Sequence, residues 1–378
     1  MNIKQMIFFL VFSVLLIQSC INQELPEYSL EDIPIIINID SAKLAPLKAT
    51  HIQYIPLETS KECFIGYADK VLIRNNQIYV ADFDKAMAIF IFDMNGKFLF
   101  KIARQGKGPG EYISFRDFDI QVNGDIYIFD VFGKKFLVYN SIGEYMREIK
   151  TDYYLSYFCL VENKMYWSKL WESGKMFANL AVHDIVNGKT EFLLKDKKFL
   201  SDLLLNFSTY SFYYSPNNIY YSPKFSEIIY SINNEGVFPV IGIKNLLKPP
   251  ASVIKKWSQK DEDPHKHIKQ MIEGEYFIEN IYIYETDDYI SIGCVRGAKQ
   301  GSLLFNKHTK HTCTILASDY YTVLGSTQAK GSTGKYFFSV VDFDPENEQN
   351  YQILKSRKEL VNWKEGDNPV VVIFDLEI

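Results

Sequence analysis

The run Gly106-Lys107-Gly108-Pro109-Gly110-Glu111-Tyr112 brings three glycine amides close together, as an anion cradle does. A nucleotide loop of the G-x-x-x-x-G-K-[ST] type carries its lysine after the second glycine and leads into a helix. Here Lys107 follows the first glycine and a strand comes next, so the run reads as a connector whose glycines and Pro109 let the chain pass between sheets. His265 and His267, in Asp261-Glu262-Asp263-Pro264-His265-Lys266-His267, would stand about 200° apart around a helix and could not share an ion. His308 and His311 flank a turn and read as surface residues, whereas His51 and His183 fall in strands and read as satisfied locally. The sequence contains no G-x-S-x-G, no H-E-x-x-H and no tight carboxylate pair on a recognisable scaffold. No metal and no cofactor is implied. In a fold that gathers one residue from each of several sheets, spacing along the chain would hide a site, so the elements must be found first.

Composition already leans towards sheet. Aromatic residues make up 15% of the 378, with 28 Phe, 26 Tyr and 4 Trp, and such rings favour a pleated, half-buried surface. The 47% hydrophobic and 23% charged residues are ordinary for a globular chain and exclude disorder, collagen and a polytopic membrane protein. A net charge of −5 offers no basic excess to neutralise a phosphate backbone, so no nucleic acid is expected as a partner.

A repeat organises the chain. Ile78-Tyr79-Val80-Ala81-Asp82 leads to Ile89-Phe90-Ile91-Phe92-Asp93 and a turn at Gly96; Ile126-Tyr127-Ile128-Phe129-Asp130 leads to Phe136-Leu137-Val138-Tyr139 and a turn at Gly143. Each is a strand, a polar turn, a second strand and a glycine turn. Weaker copies begin at Met165, Ile219, Tyr289 and Tyr336. A further strand precedes each pair, as Phe115 to Val122 does, and another follows, as Tyr145 to Lys150 does. Four strands recurring six times at about fifty residues predict an all-β fold, a six-bladed β-propeller with four-stranded blades. The isolated strand Thr50 to Leu57 is expected to complete the last sheet and remove its open edge. Residues 244–274 are expected to form a short helical insertion between blades four and five, and 342–366 a charged excursion inside blade six. Two stacked β-sandwiches would need a linker, and none is visible.

In a propeller the first strand of each blade lines the axis, so residues at its start converge at one mouth. Those residues are Glu111, Arg116 and Asp117 for blade two, Tyr157 for blade three, Tyr210 for blade four and Asn280 for blade five. An arginine fork, acids and aromatic rings suit a polar ligand such as a sugar or a peptide terminus. The competing reading makes Arg116 and Asp117 members of structural ion pairs. Cys63, Cys159, Cys294 and Cys313 form no C-x-x-C pair, and Cys294 and Cys313 would lie two strand spacings apart, roughly 9–10 Å, beyond disulfide reach. Buried free thiols are expected.

The amino terminus reads as an address. Met6 to Ile17 is an apolar run too short to span a bilayer, and Ile17-Gln18-Ser19-Cys20 follows it. That ending resembles a bacterial lipobox, which implies residues 1–19 as a lipoprotein signal peptide and a lipidated Cys20. Residues 20–45 then read as a tether and 46–378 as the propeller. Several acyl chains would hold the protein at a membrane surface without entering it.

The run from Arg104 through Glu111-Tyr112, Phe118-Asp119-Ile120, Gly124-Asp125-Ile126-Tyr127-Ile128-Phe129-Asp130, Phe136 to Tyr139 and Gly143 resembles an NHL repeat. It is similar in particular to the six-bladed β-propeller lipoproteins of Bacteroides-type bacteria, in which a G-x-G-P-G-E-[YF] connector is frequent. Strong similarity covers Ile78 to Lys150, and the rest matches in strand rhythm. Members of that family are mostly uncharacterised, so the resemblance bears on fold and says little about chemistry. The functional expectation is a cell-envelope lipoprotein, outer-membrane and facing the periplasm or the surface, whose propeller recognises a protein, peptide or glycan. The alternative is a metal-dependent enzyme of the lactonase or lyase kind, with three or four carboxylate, Asn or His ligands on the axis. The aromatics recurring in the second and third strands are expected to pack between blades.

Overall fold

The computed structural model describes residues 28–377, apart from 173–174, 196–209, 216–217, 224–225, 245, 248, 251, 254–268, 271–272, 275–276, 297–298, 327 and 343–347. An amino-terminal arm carries β1 (Ile35–Asn38), β2 (Lys43–Leu44) and β3 (Ala49–Pro56). Blade one follows as β4 (Lys70–Arg74), β5 (Gln77–Asp82), β6 (Ala88–Asp93) and β7 (Phe98–Ile102). Blade two is β8 (Phe115–Ile120), β9 (Ile126–Asp130), β10 (Lys135–Tyr139) and β11 (Tyr145–Lys150); blade three is β12 (Tyr157–Val161), β13 (Lys164–Glu172), β14 (Lys175–Asp184) and β15 (Thr190–Lys195). Blade four is β16 (Phe212–Ser215), β17 (Asn218–Tyr221), β18 (Ile228–Asn233) and β19 (Gly236–Lys244); blade five is β20 (Phe277–Glu285), β21 (Tyr289–Arg296), β22 (Lys299–Asn306) and β23 (Thr312–Leu316). Blade six is β24 (Gly331–Ser332), β25 (Phe337–Val341) and β26 (Val370–Leu376), with β3 as its outer strand. The strand runs and turns of the repeat therefore fold as the sequence expects, in six antiparallel sheets around one axis.

Closure is the expected one. β3 pairs antiparallel with β26, Ile55 opposite Val371 and Tyr54 opposite Val372, so the strand that precedes blade one seals the last blade. The arm before it also pairs with the ring. β1 adds to the outer edge of blade four, parallel to β19, and β2 adds to blade five, parallel to β23. Two edges that would otherwise present unpaired amides are covered. Helices α1 (Ala317–Leu324), between blades five and six, and α2 (Glu348–Lys355), within blade six, occupy connections. The helical insertion expected over 244–274 falls mostly outside the described residues.

The core lies between blades. One apolar cluster joins Phe129, Phe136 and Val138 of blade two to Phe158, Met165 and Trp167 of blade three, and another joins Val71, Val80 and Phe90 of blade one to Phe338, Val371 and Ile373 of blade six. Phe136 sits 5.0 Å from Phe158 and 5.8 Å from Trp167, offset and edge contacts of the kind that stabilise beyond area alone. Much of the aromatic excess packs between blades. His183 stacks on Trp167 at 4.7 Å and bonds Thr190 through Nδ1 at 2.9 Å, so it is satisfied locally. Cys63, Cys159 and Cys313 are free and buried. One full strand, β22, separates Cys294 on β21 from Cys313 on β23.

The repeat also has a reason at its strand ends. Asp82 and Asp130, each closing a second strand, are fully buried and hold the loop that leads into their own blade. Asp82 Oδ2 accepts the amides of Gly66 and Tyr67 at 2.7 and 3.1 Å, and its Oδ1 accepts Lys85 N at 2.8 Å. Asp130 accepts Ile113 N, Ser114 N and Gly133 N at 3.2, 3.4 and 3.1 Å. A short carboxylate is suited to gather such amides, which would otherwise be buried unpaired.

Candidate binding cavity

At the strand-start mouth of the axis, blades one, two and three are locked together by charge. Lys70, 6% exposed, and Asp117, 1% exposed, meet at 2.6 Å. The ammonium also donates to Phe118 O at 2.7 Å and lies 5.1 to 5.6 Å from the rings of Phe118, Tyr210 and Tyr214. Asp117 Oδ2 accepts Phe158 N at 2.8 Å, and Asp119 Oδ2 accepts Leu160 N at 2.7 Å. Two carboxylates of β8 thus take the edge amides of β12, doing between blades what a ladder does within one. Burial pushes both carboxyls up from their ordinary range, and the Lys70 charge opposes it. Tyr210 reaches across the axis from blade four to donate to Asp69 O, and Tyr214 donates to Phe158 O at 3.2 Å.

These crossings fill the side of the axis that belongs to blades two and three and leave a cavity of about 700 Å³ on the other. Its walls are chiefly the inner strands of blades one, four, five and six, namely Lys70 to Arg74, Tyr210 with Phe212 and Tyr214, Tyr282 with Tyr284, and Gln328 to Thr333, joined by Ile120 to Val122 at and just beyond the end of β8. Period two puts Tyr210, Phe212 and Tyr214 on the cavity face of one strand and Tyr282 and Tyr284 on that of the next. The last two stack at 5.4 Å with 13° between planes. Arg74 lies 5.0 Å over the Tyr214 ring. Burial raises the Tyr284 hydroxyl. At the mouth, burial lowers the Lys330 ammonium while Asp342 and Asp69 hold it up.

The residues singled out from sequence divide. Tyr210 lines the cavity. Tyr157 packs edge-on against Tyr210 at 5.8 Å, with Lys169 5.2 Å from its ring. Asp117 is consumed by Lys70 and the Phe158 amide, and Arg116 pairs with Asp84 at 2.9 Å on the exposed surface, so for both the structural ion pair is the geometry found. Glu111 folds back to accept Gly108 N at 2.8 Å and lies where a Gly106 Cβ would be, 2.0 Å away. That contact closes the glycine connector on itself, with Tyr112 donating to Met87 O at 2.6 Å and Tyr139 to Gly110 O at 2.8 Å. Asn280 lies on β20 opposite Cys294, and its side chain lies outside the described residues, as do Cys20, His265 and His267. His308 meets Asp288 at 2.8 Å on the surface. Sequence reasoning missed Arg74, Tyr214, Tyr284 and Lys330. The alternation Tyr210, Phe212, Tyr214 was the signal that could have found the wall.

Among the described residues no three His, Cys, Asp or Glu side chains are grouped to hold a metal ion, and no helix is long and apolar enough to cross a membrane.

Comparison with known proteins bears on the whole ring. The model of a family described as a domain of unknown function, DUF4934, matches residues 32–375. The crystal structure of a Bacteroides fragilis protein whose name gives it as exported is similar at a TM-score of 0.69 and 17% identity, covering 92% of this chain and 99% of that one. A member of the DUF4221 family from Bacteroides vulgatus is similar at 0.56 and 10% identity, covering 88% and 98%. At these identities the likeness is one of fold. No curated protein matches.

Proposed function

The chain belongs to the DUF4934 family, and we propose that it is an exported recognition module whose propeller binds a small polar ligand, or the polar tip of a larger one, in the cavity between blades one, four, five and six. The observation that carries this reading is the cavity itself: a half-open space of about 700 Å³ with tyrosine walls and a few convergent polar groups, the usual make-up of a ligand pocket. A Cys20 lipid would hold the module at the envelope, outer-membrane and facing the periplasm or the surface, with the NHL-like ring presenting its strand-start mouth. Tyr157, packed against Tyr210, would make a secondary contact. A protein, peptide or glycan could supply the ligand.

Ala68 lines the mouth, and Ala68→Trp would narrow it. A panel of glycans and peptides titrated into wild type and Ala68→Trp tests the reading: a ligand of the wild type should lose at least tenfold in affinity on the variant. Equal affinity for both would place recognition elsewhere. For the lactonase or lyase alternative, metal analysis of the purified chain is decisive, because a stoichiometric divalent ion would favour the enzyme.

A further inference from the structure

The polar groups of the cavity are unevenly matched. The Arg74 guanidinium, half-buried at the end of β4, makes no hydrogen bond or ion pair with any described residue and rests only on the Tyr214 ring. Asp119, whose charge it feels, has its oxygens committed to the amides of Ile120 and Leu160. The Lys330 ammonium forms no ion pair with a described residue, although Asp342 and Asp69 lie near it. The Tyr284 hydroxyl, on the wall between them, likewise has no partner among the described residues. A half-buried arginine fork without a partner carries a desolvation cost that a bidentate oxyanion would offset. Lys330 lies by Asp69, five residues or about 17 Å of strand before Arg74, so the two cannot grip one small anion. They would hold a ligand at its two ends. Stacked Tyr282 and Tyr284 offer a flat face on the same wall, while the hydroxyls of Ser332 and Thr333 are spent on Glu285 O and Tyr336 O. Flat rings interleaved with donors and acceptors suit a hydroxylated ring more than an aliphatic side chain.

We propose that the cavity takes an acidic saccharide, with Arg74 as the fork for its carboxylate, sulfate or phosphate and Lys330 and Tyr284 placed for its hydroxyl oxygens. This rests on the cavity being the binding site. Glucose, glucuronate, glucose 6-sulfate and glucose 6-phosphate share one ring and differ in the group offered to Arg74, so titrating all four into the detergent-solubilised full chain separates the charge from the ring and the three oxyanions from one another. At least one acidic probe should bind ten times more tightly than glucose, and tenfold or more of that preference should vanish in Arg74→Gln. Arg74→Lys, which keeps a cation over Tyr214 and guards against a folding defect, should retain part of it, because a point charge replaces a fork. Equal binding of glucose and the acidic probes, no binding of any acidic probe, or an acid preference unchanged in Arg74→Gln would overturn the proposal. If glucose and the acidic probes bind equally and Ala68→Trp abolishes both, the cavity stands and only the anion assignment falls. Indifference to Ala68→Trp would remove the cavity reading itself.

Discussion

Lys70 and Asp117 meet across two blades with almost no access to water, so neither can be removed without leaving the other's charge enclosed. Lys70→Met should therefore cost about 3–5 kcal/mol in chemical denaturation at neutral pH. The deficit should shrink on acidification. Without its cation the Asp117 carboxyl, already raised by burial, titrates higher still, so the folded variant binds a proton that the unfolded chain releases, and stability falls as pH rises through that window. A deficit independent of pH would show that Asp117 is not the group left stranded. Glu285 carries the opposite sign. Burial alone would raise it, but Lys307 at 2.6 Å and donors on Tyr220 and Asn218 at 2.6 and 2.7 Å hold it below its ordinary 4.5. Its contribution is complete above 4.5 and is lost as pH falls through the lower folded value. Glu285→Gln should flatten the acid limb of the stability profile, measured as the denaturation midpoint between pH 3 and 6, and an unchanged limb would contradict the assignment.

At the scale of elements, the closure of the ring depends on one buried amide. Asn368, fully buried before β26, accepts Ile65 N at 2.8 Å and donates to Glu58 O and Cys63 O at 2.7 and 2.8 Å, while its own N donates to Thr59 Oγ1 at 2.7 Å. It ties the loop after β3 to the entry of blade one. Asn368→Ala would orphan groups worth about 1–3 kcal/mol each, and a loss below 1 kcal/mol would show that the closure is held by strand pairing alone. Gly96 guards the same seam: at φ +79° a Cβ would stand 2.2 Å from Pro56 O, a backbone atom that cannot step aside. The strands themselves were legible because a period of two with a glycine or asparagine turn leaves few alternatives. Asp82 and Asp130 stood in the repeat, yet their task appears only when the amides they gather are seen. The site was harder to read. Sequence placed ligand groups at the strand starts of blades two to five, but the crossings by Lys70, Tyr210 and Tyr214 join residues 47 to 141 positions apart and occupy the axis at the start of β8, leaving Tyr210 alone, among the described residues of that set, on the cavity wall. Arg74 and Lys330 belong to short inner strands, where no periodic pattern marks which blade faces a void.

The whole molecule is a ring whose axis is open on one side, with an arm that covers the outer edges of blades four and five before sealing blade six. Cys20→Ala should release the chain from membranes in fractionation, and retention would contradict the lipobox. Occupation of the eccentric cavity can be read by hydrogen exchange of the full chain with and without a ligand found by the Ala68→Trp comparison. Protection should gather on β4, β16, β20 and β24, the four inner strands that wall the cavity. Protection confined to blades two and three would contradict the account.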